Sequence, residues 1–185
     1  MEQRCFWVTD SKLYEDYHDF EWGVPVYDDE TLFEFLLLET FQAGLSWITI
    51  LNKRENFRAA FDGFDYYEIS KYSETKYNEL LKNASIIRNK LKIRSAIINA
   101  QLFIEIKKEY GSFSKYIWSF VNHKPILNKF HSKKEVPATT ELSDIISKDL
   151  KKKGFKFVGS TVVYAFMQAI GMVNDHTRNC FKYSN

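Results

Sequence analysis

The stretch KKGFKFVGSTVVYAFMQAIG, residues 152–171, decides the fold of this chain. A lysine-rich helix predicted from Ser143 to Lys153 stops before the connector GFKFVG, and an apolar helix is predicted from Ser160 to Ile170. Glycines at both ends of the connector, Gly154 and Gly159, allow a tight turn. They also leave amide N–H groups at a helix N-terminus, which can hold a phosphate oxygen. We therefore predict a helix-hairpin-helix element over residues 143–170.

This hairpin has two interpretations. A helix-hairpin-helix element grips a DNA backbone without reading sequence, whereas an ordinary αα-hairpin belongs to the core. Four lysines beside the turn favour DNA, namely Lys151, Lys152, Lys153 and Lys156. The candidate DNA-binding residues of the hairpin are Gly154, Lys156, Gly159 and Ser160.

The rest of the chain is predicted to be helical, because it shows no sustained period-2 alternation and contains few Gly or Pro. The expected fold class is all-α, and the main irregular connection is expected from His123 to Thr140. Asp28 and Ser46 are expected to cap two of the helices. The other predicted helices run from Asp28 to Thr40, Ser46 to Phe61, Ser73 to Lys82, Lys90 to Tyr110, and over 113–121.

Size and composition suit a single domain over residues 1–185, built as two helical lobes. The net charge of +2 does not by itself indicate nucleic acid, and the longest apolar stretches are too short to span a membrane. With no leading apolar run that resembles a signal peptide, we expect a soluble, cytoplasmic monomer. Sixteen Phe, eleven Tyr and four Trp exceed the needs of a small core, so some of them are expected to line a site for flat ligands.

Both cysteines and two of the four histidines form a complete set of zinc ligands: Cys5, His18, His176 and Cys180. The His176-x-x-x-Cys180 spacing predicts two ligands on one face of a helical turn. A Cys5–Cys180 disulfide is one alternative, and two unrelated buried thiols with surface histidines are another. Because the set leaves no open position, we expect one structural zinc that clips the N-terminal segment to the C-terminal one.

Glu39 continues the apolar stripe of Leu32, Phe35 and Leu36, so its carboxylate is predicted to point into the core. A buried charge is usually paired or used, and the alternatives are a salt bridge or a position at the rim. Aromatic residues crowd the N-terminal segment, and the loop QAGLSW follows at 42–47. An acid among aromatic rings suits a flat cationic ring.

Matching segments run in order along nearly the whole chain. They are RCFWV at 4–8, YHDFEWGVP at 17–25, LET at 38–40, QAGLSWITIL at 42–51, KREN at 53–56, WSFVN at 118–122, KKGFKFVGSTVVYAFMQAIG at 152–171 and NDH at 174–176. In these segments the chain resembles the 3-methyladenine DNA glycosylase I family, which belongs to the helix-hairpin-helix glycosylase superfamily.

The resemblance implies an enzyme that cleaves the N-glycosidic bond of N3-methyladenine in double-stranded DNA, leaves an abasic site and lacks lyase activity. It implies that Glu39 is the functional carboxylate, with Tyr17 and Trp47 as stacking neighbours and Trp7 and Tyr14 nearby. Gly44 and Leu45 are then the expected wedge that enters the duplex. The zinc ligands carry over onto Cys5, His18, His176 and Cys180.

Two other functions stay open at this point: a non-catalytic protein that binds or senses damaged DNA, and a zinc-organised interaction domain. Asp175, beside His176, is interpreted as local structure rather than as a catalytic acid. Phe41 stands where a polar residue is expected beside QAGLSW, so it is expected to alter the pocket edge or the packing of the loop.

Overall fold

The computed structural model describes residues 3–183, and these form ten α-helices, two 3₁₀ helices and one pair of two-residue strands. Residues 1–2 and 184–185 of the predicted domain lie outside the described residues. The α-helices are α1 (Lys12–Phe20), α2 (Asp29–Gln42), α3 (Trp47–Leu51), α4 (Arg54–Ala60), α5 (Tyr66–Ile69), α6 (Glu74–Lys82), α7 (Lys90–Tyr110), α8 (Phe113–Ser119), α9 (Glu141–Lys152) and α10 (Ser160–Ala169). The 3₁₀ helices are Asp62–Phe64 and Lys133–Glu135, and the strands are β1 (Ile126–Leu127) and β2 (Val173–Asn174).

Helix α2 is the centre of the core, because every residue from 32 to 41 is buried. It packs against α3, α7, α8 and α10. The predicted cap is confirmed: the Asp28 side chain accepts a hydrogen bond from the Thr31 amide at 2.8 Å. A helix that is apolar all round is buried, so Glu34 and Glu39, which lie within the buried stretch of α2, are withdrawn from solvent with it.

The two helices predicted on either side of the GFKFVG connector form close to their predicted bounds, as α9 and α10, and they pack together as a hairpin. The connector runs back beside α9, since the Ser147 hydroxyl donates to the Val158 carbonyl at 2.6 Å. Gly154 has φ +101°, a conformation that favours glycine. Gly159 has φ −62°, which any residue can adopt, so of the two glycines that allow the turn only Gly154 has a backbone conformation that favours glycine.

Two other predictions about helices need correction. The predicted single helix from Ser46 to Phe61 divides into α3 and α4 at a turn over residues 52 and 53, and Arg54, which pairs with Glu34, starts the second helix. Ser46 precedes α3 as expected, but its hydroxyl contacts the Thr49 hydroxyl rather than a backbone amide. Helices α1 and α5 were not predicted individually.

The C-terminal end of the chain is tied to the irregular connection and to the N-terminus. β1 and β2 pair in parallel, with Ile126 opposite Val173. The Phe181 amide donates to the Gln3 carbonyl at 3.0 Å. Residues 176–180 form a turn rather than the predicted helical turn, closed by the Cys180 amide on the Thr177 carbonyl at 2.7 Å. The two chain ends therefore meet without a helix at His176.

Candidate base-binding pocket and metal centre

A cavity of about 280 Å³ lies between the N-terminal segment, α2, the start of α3 and α10. All five residues predicted for the base pocket line it. The complete lining is Phe6, Trp7, Tyr14, Tyr17, Trp22, Glu39, Gln42, Trp47, Val136, Pro137, Ala165 and Gln168. The cavity is near the lower end of the usual size range for small-molecule sites, which suits a single flat ring system.

Glu39 is 3% exposed, and its Oε2 has no hydrogen-bond partner among residues 3–183. The predicted core-facing position is therefore confirmed, and the salt-bridge alternative is not supported for this atom. Burial raises the pKa of Glu39 to about 8. At neutral pH the free protein consequently holds this carboxyl group mainly in its protonated form.

Four aromatic side chains surround this acid in a continuous chain of ring contacts. The ring centroids of Trp7 and Tyr14 are 5.0 Å apart, and those of Tyr17 and Trp47 are 5.3 Å apart. Burial, followed by the charge of Glu39, raises the pKa of Tyr17. The indole Nε1 atoms of Trp7 and Trp47 are buried without a partner in the described part of the chain. Trp7, Glu39 and Trp47, which all line the cavity, thus each carry a buried polar atom without a partner in the described residues.

The loop after α2 presents Gly44 and Leu45 at the surface, with Leu45 37% exposed. Gly44 has φ +79°, and a side chain there would meet no other residue within 4 Å. Two hydrogen bonds close the turn. The Leu45 backbone amide donates to the Gln42 backbone carbonyl at 2.7 Å, and the Gln42 side-chain Nε2 donates to the Leu45 backbone carbonyl at 3.0 Å. The leucine is thus held outward on a closed turn.

Lys92 of α7 holds the start of this loop through hydrogen bonds to backbone carbonyls. Its ammonium group donates to the Phe41 carbonyl at 2.7 Å and to the Ala43 carbonyl at 2.6 Å. Lys92 lies between the basic residues Lys90 and Arg94 in the sequence, yet it is only 7% exposed. Because a lysine at a helix C-terminus satisfies otherwise unpaired carbonyls, Lys92 fixes the end of α2.

The same helix α7 holds the hairpin. Asn99 brackets the backbone of Lys156: its Oδ1 accepts from the Lys156 amide at 2.8 Å, and its Nδ2 donates to the Lys156 carbonyl at 3.0 Å. The Lys156 side chain itself is exposed, and Gly159 and Ser160 are partly exposed at the start of α10. By contrast, Lys153 turns away to pair with Glu109 at 3.2 Å. All four hairpin candidates, Gly154, Lys156, Gly159 and Ser160, are therefore at least partly exposed on the approach to α10 or at its start.

The four predicted metal ligands converge, and their ligand atoms all lie within 4.8 Å of one another. Both cysteines are free thiols, so the disulfide alternative is wrong. Cys5 Sγ is 3.5 Å from His176 Nδ1, and Cys180 Sγ is 3.4 Å from both His18 Nε2 and His176 Nδ1. A tetrahedral ion with metal–sulfur and metal–nitrogen bonds of about 2.3 and 2.1 Å has sulfur–nitrogen edges of about 3.6 Å. The cluster therefore has the dimensions of a metal site.

The remaining ring nitrogens of the two histidines are already engaged. His18 Nδ1 lies 2.7 Å from Asp19 Oδ1, and His176 Nε2 lies 3.0 Å from the Trp22 carbonyl. Such outer partners fix the tautomer and orientation of metal-bound imidazoles. Each histidine is thereby left with one nitrogen facing the cysteines.

Sequence reasoning missed several cavity residues. Val136 and Pro137 belong to the irregular connection, where no periodic pattern indicates a direction. Gln42 and Gln168 lie inside matched segments, but nothing in their spacing indicates that they face the cavity. Phe41 lies in the core, with its ring 4.8 Å from that of Phe57, and is not among the residues lining the cavity. Its apolar ring therefore packs α2 against α4 and does not form the pocket edge.

Asp175 is 1% exposed and accepts three hydrogen bonds, from Asn128 at 2.6 Å, Tyr164 at 2.6 Å and Gln168 at 2.8 Å. Its interpretation as local structure agrees with these contacts. The other two histidines, His123 and His131, are exposed. Among residues 3–183, no helix is both long and apolar enough to cross a membrane.

Comparisons with known proteins agree along the chain. A family model described as methyladenine glycosylase matches residues 7–183. The chain is 48% identical over 181 residues to DNA-3-methyladenine glycosylase 1 of Escherichia coli, covering 98% of this chain and 97% of that protein. It is 47% identical over 180 residues to DNA-3-methyladenine glycosylase of Haemophilus influenzae, covering 97% of each.

Solved structures give the same result. A crystal structure of 3-methyladenine DNA glycosylase I superimposes with a TM-score of 0.95 at 48% identity, covering 98% of this chain and 100% of that one. A structure of the Staphylococcus aureus 3-methyladenine DNA glycosylase I, determined for its recognition of 3-methyladenine, gives a TM-score of 0.95 at 35% identity, covering 98% and 97%. With fold, pocket and length in agreement, the chain belongs to the methyladenine glycosylase family.

Proposed function

We propose that this protein hydrolyses the N-glycosidic bond of N3-methyladenine in alkylated double-stranded DNA, releasing the base and leaving an abasic site. The observation that carries this proposal is Glu39, whose buried and unpaired carboxyl group faces a cavity walled by aromatic rings. The family membership and the names of the relatives support the same activity.

The charge of the substrate explains why an acid suits this pocket. N3-methylation gives the nucleoside a formal positive charge, which weakens the glycosidic bond. The bond between N9 and C1′ breaks with both electrons going to the base, which leaves as a neutral molecule. Because the base leaves as a neutral molecule, it needs no added proton. Water then adds to the cationic C1′ and releases one proton to the solvent.

Glu39 would act by pairing with this charge. A cationic ring favours the carboxylate, so its entry would lower the raised pKa of Glu39 and drive off the proton. Unmodified adenine is uncharged and offers no such gain, which gives selectivity for the lesion. As the bond breaks, positive charge passes to the sugar, and the carboxylate would stabilise it there.

The aromatic side chains would hold the flipped base. Tyr17 and Trp47 would provide stacking faces, with Trp7 and Tyr14 completing the wall. The unpaired Nε1–H groups of Trp7 and Trp47 can donate only, and therefore suit ring nitrogens of a purine.

Two exposed elements would contact DNA. Leu45, carried by Gly44 on its closed turn, is suited to fill the gap left by the flipped nucleotide. The backbone of Gly154, Gly159 and Ser160, with the exposed ammonium group of Lys156, is suited to a phosphate. We further propose that residues 1–185 act as one monomeric domain on double-stranded DNA.

Cys5, His18, His176 and Cys180 would hold one structural zinc ion per chain. The donor set of two thiolates and two imidazoles is a common zinc set, and the observed edges fit tetrahedral coordination. All four positions are used, so the ion would join the N- and C-terminal segments and stabilise the fold without an open position for substrate.

We also propose that the enzyme lacks lyase activity. Among the described residues that line the cavity there is no lysine to form a Schiff base. The product would therefore be an intact strand with an abasic site.

Release of methylated bases from dimethyl sulfate-treated DNA tests the proposal. We expect chromatography to detect 3-methyladenine, Glu39→Gln to abolish most of the release, and the strand to stay unbroken until alkali is added. Glu30→Gln, at an exposed position at the start of the same helix, is the matched control. No release above a protein-free blank would refute the activity. Binding of abasic or methylated duplex without release would instead support a non-catalytic damage sensor.

A further inference from the structure

Gln168 of α10 lines the cavity and forms a side-chain hydrogen bond with Asp175, which does not line it. Its Nε2 donates to Asp175 Oδ2 at 2.8 Å. The same oxygen accepts from the Tyr164 hydroxyl at 2.6 Å, and Asp175 Oδ1 accepts from Asn128 at 2.6 Å. Asp175, 1% exposed, is therefore held in place by three neutral donors.

This contact determines which way the Gln168 amide faces. A carboxylate accepts hydrogen bonds and cannot donate them, so the NH₂ end of the amide must face Asp175. The opposite orientation would place two acceptor oxygens in contact. The carbonyl oxygen Oε1 is thus directed away from Asp175, and no donor among residues 3–183 is paired with it.

Gln168 consequently adds an amide oxygen to the hydrogen-bond acceptors that the lining residues offer a bound base, which include Glu39 in its ionised form. In the N3-methyladenine nucleotide, the only N–H donor of the base is the exocyclic 6-amino group, which carries two hydrogens. A purine with oxygen at position 6 would instead place that oxygen, which is an acceptor, against the acceptor oxygen Oε1 of Gln168.

We propose that Gln168 is a specificity-determining residue that accepts a hydrogen bond from the 6-amino group, and that Asp175 positions it. This inference rests on the proposed function and extends it. Glu39 would select for the positive charge of a methylated base, whereas Gln168 would select 6-amino over 6-oxo 3-methylpurines. A site built to bind an N–H group rejects analogues that lack it, because its own polar atoms are then left unpaired.

The test compares two free bases that differ at position 6: 3-methyladenine carries an amino group there, and 3-methylhypoxanthine carries an oxygen. Binding is measured by titration calorimetry or by quenching of tryptophan fluorescence. We expect wild-type protein to prefer 3-methyladenine, and Gln168→Leu to reduce that preference about tenfold, the usual effect of unpairing one hydrogen bond. Gln168→Met, which keeps the length of the side chain, should give the same result.

Asp175 is tested by the same ratio of affinities, which loss of stability alone does not change. Asp175→Ala frees the Gln168 amide to rotate, so the preference should fall. Tyr164→Phe removes another hydrogen bond from Asp175 Oδ2 without touching Gln168, and should retain the preference. Thermal unfolding of each variant establishes that the folded protein is being titrated.

Unchanged preference in both Gln168 variants, or an equal loss of affinity for the two bases, would overturn the proposal. It would also be overturned if Tyr164→Phe changed the preference as much as Gln168→Leu. If the wild-type protein bound neither base, the proposed function would lose support together with this inference. Normal release of 3-methyladenine from DNA with unchanged preference in the Gln168 variants would refute the role of Gln168 alone.

Discussion

Replacing Glu39 by glutamine should change the pH dependence of stability as well as activity. The carboxyl group is 3% exposed, and burial raises its pKa from 4.5 to about 8. The folded protein therefore binds this proton more tightly than the unfolded chain does. As pH rises between these two values, the unfolded chain ionises first, and the free energy of unfolding decreases.

The magnitude follows from the two pKa values. Well below pH 4.5 the carboxyl group is protonated in both the folded and the unfolded protein, so it does not change the free energy of unfolding. Above about pH 8 it is ionised in both, and its destabilising effect is complete. Each pH unit between them costs about 1.4 kcal/mol. Between about pH 5.5 and pH 8.5, Glu39 should therefore destabilise the wild-type fold by about 3 kcal/mol, an upper bound if the pocket relaxes.

Urea unfolding at these two pH values measures the effect. From the lower to the higher pH, the free energy of unfolding of the wild-type protein should fall by about 3 kcal/mol more than that of Glu39→Gln. The comparison across pH is the useful one, because a buried glutamine carries its own cost of desolvation at every pH. Glu30→Gln, exposed on the same helix, should follow wild type. Equal pH dependence in wild type and Glu39→Gln would refute a raised pKa at this position.

Three further variants test the loop, the wedge and the metal centre. Lys92→Met should lower the free energy of unfolding by about 2 kcal/mol, because two carbonyls at the end of α2 lose their donor; urea denaturation measures this, and a loss below about 0.5 kcal/mol would contradict the anchoring role. Leu45→Ala should leave stability nearly unchanged but slow base release from duplex DNA more than from single strands, and equal slowing on both would argue against a wedge. Metal analysis should find one zinc per chain, and Cys180→Ala or a strong chelator should lower the melting temperature; protein purified without chelators and found free of zinc would refute the site.

Local patterns predicted the helices whose ends carry their own signals. Asn89 caps α7 through the Leu91 and Lys92 amides, and Gly111 ends it with φ +85°, so both bounds agree with the sequence. The division between α3 and α4 carries no such signal. It depends on Arg54, which lies between Glu21 and Glu34 in the folded protein, at 2.7 Å from each. Tertiary contacts of this kind are not visible in a local pattern.

The candidate site divides in the same way. Glu39 could be identified because it interrupts an apolar stripe, and the metal cluster because its four residues include every cysteine in the chain. The role of Lys92 could not be identified, since no local sequence pattern distinguishes a buried lysine that binds carbonyls from an exposed one. Gln168 could not either, because its direction is set by Asp175, which lies beyond the end of its helix.

Helix α7 has a consequence for how the protein would accommodate DNA. Lys92 secures the loop that carries Leu45, and Asn99, two turns further along, secures the hairpin at Lys156. Because one continuous helix holds both, the distance between the proposed wedge and the proposed phosphate contact is set before DNA arrives. The duplex would therefore have to deform to meet both points. The cost of that deformation would depend on the flexibility of the base steps beside the lesion, so repair rates would vary with flanking sequence even where no side chain reads it.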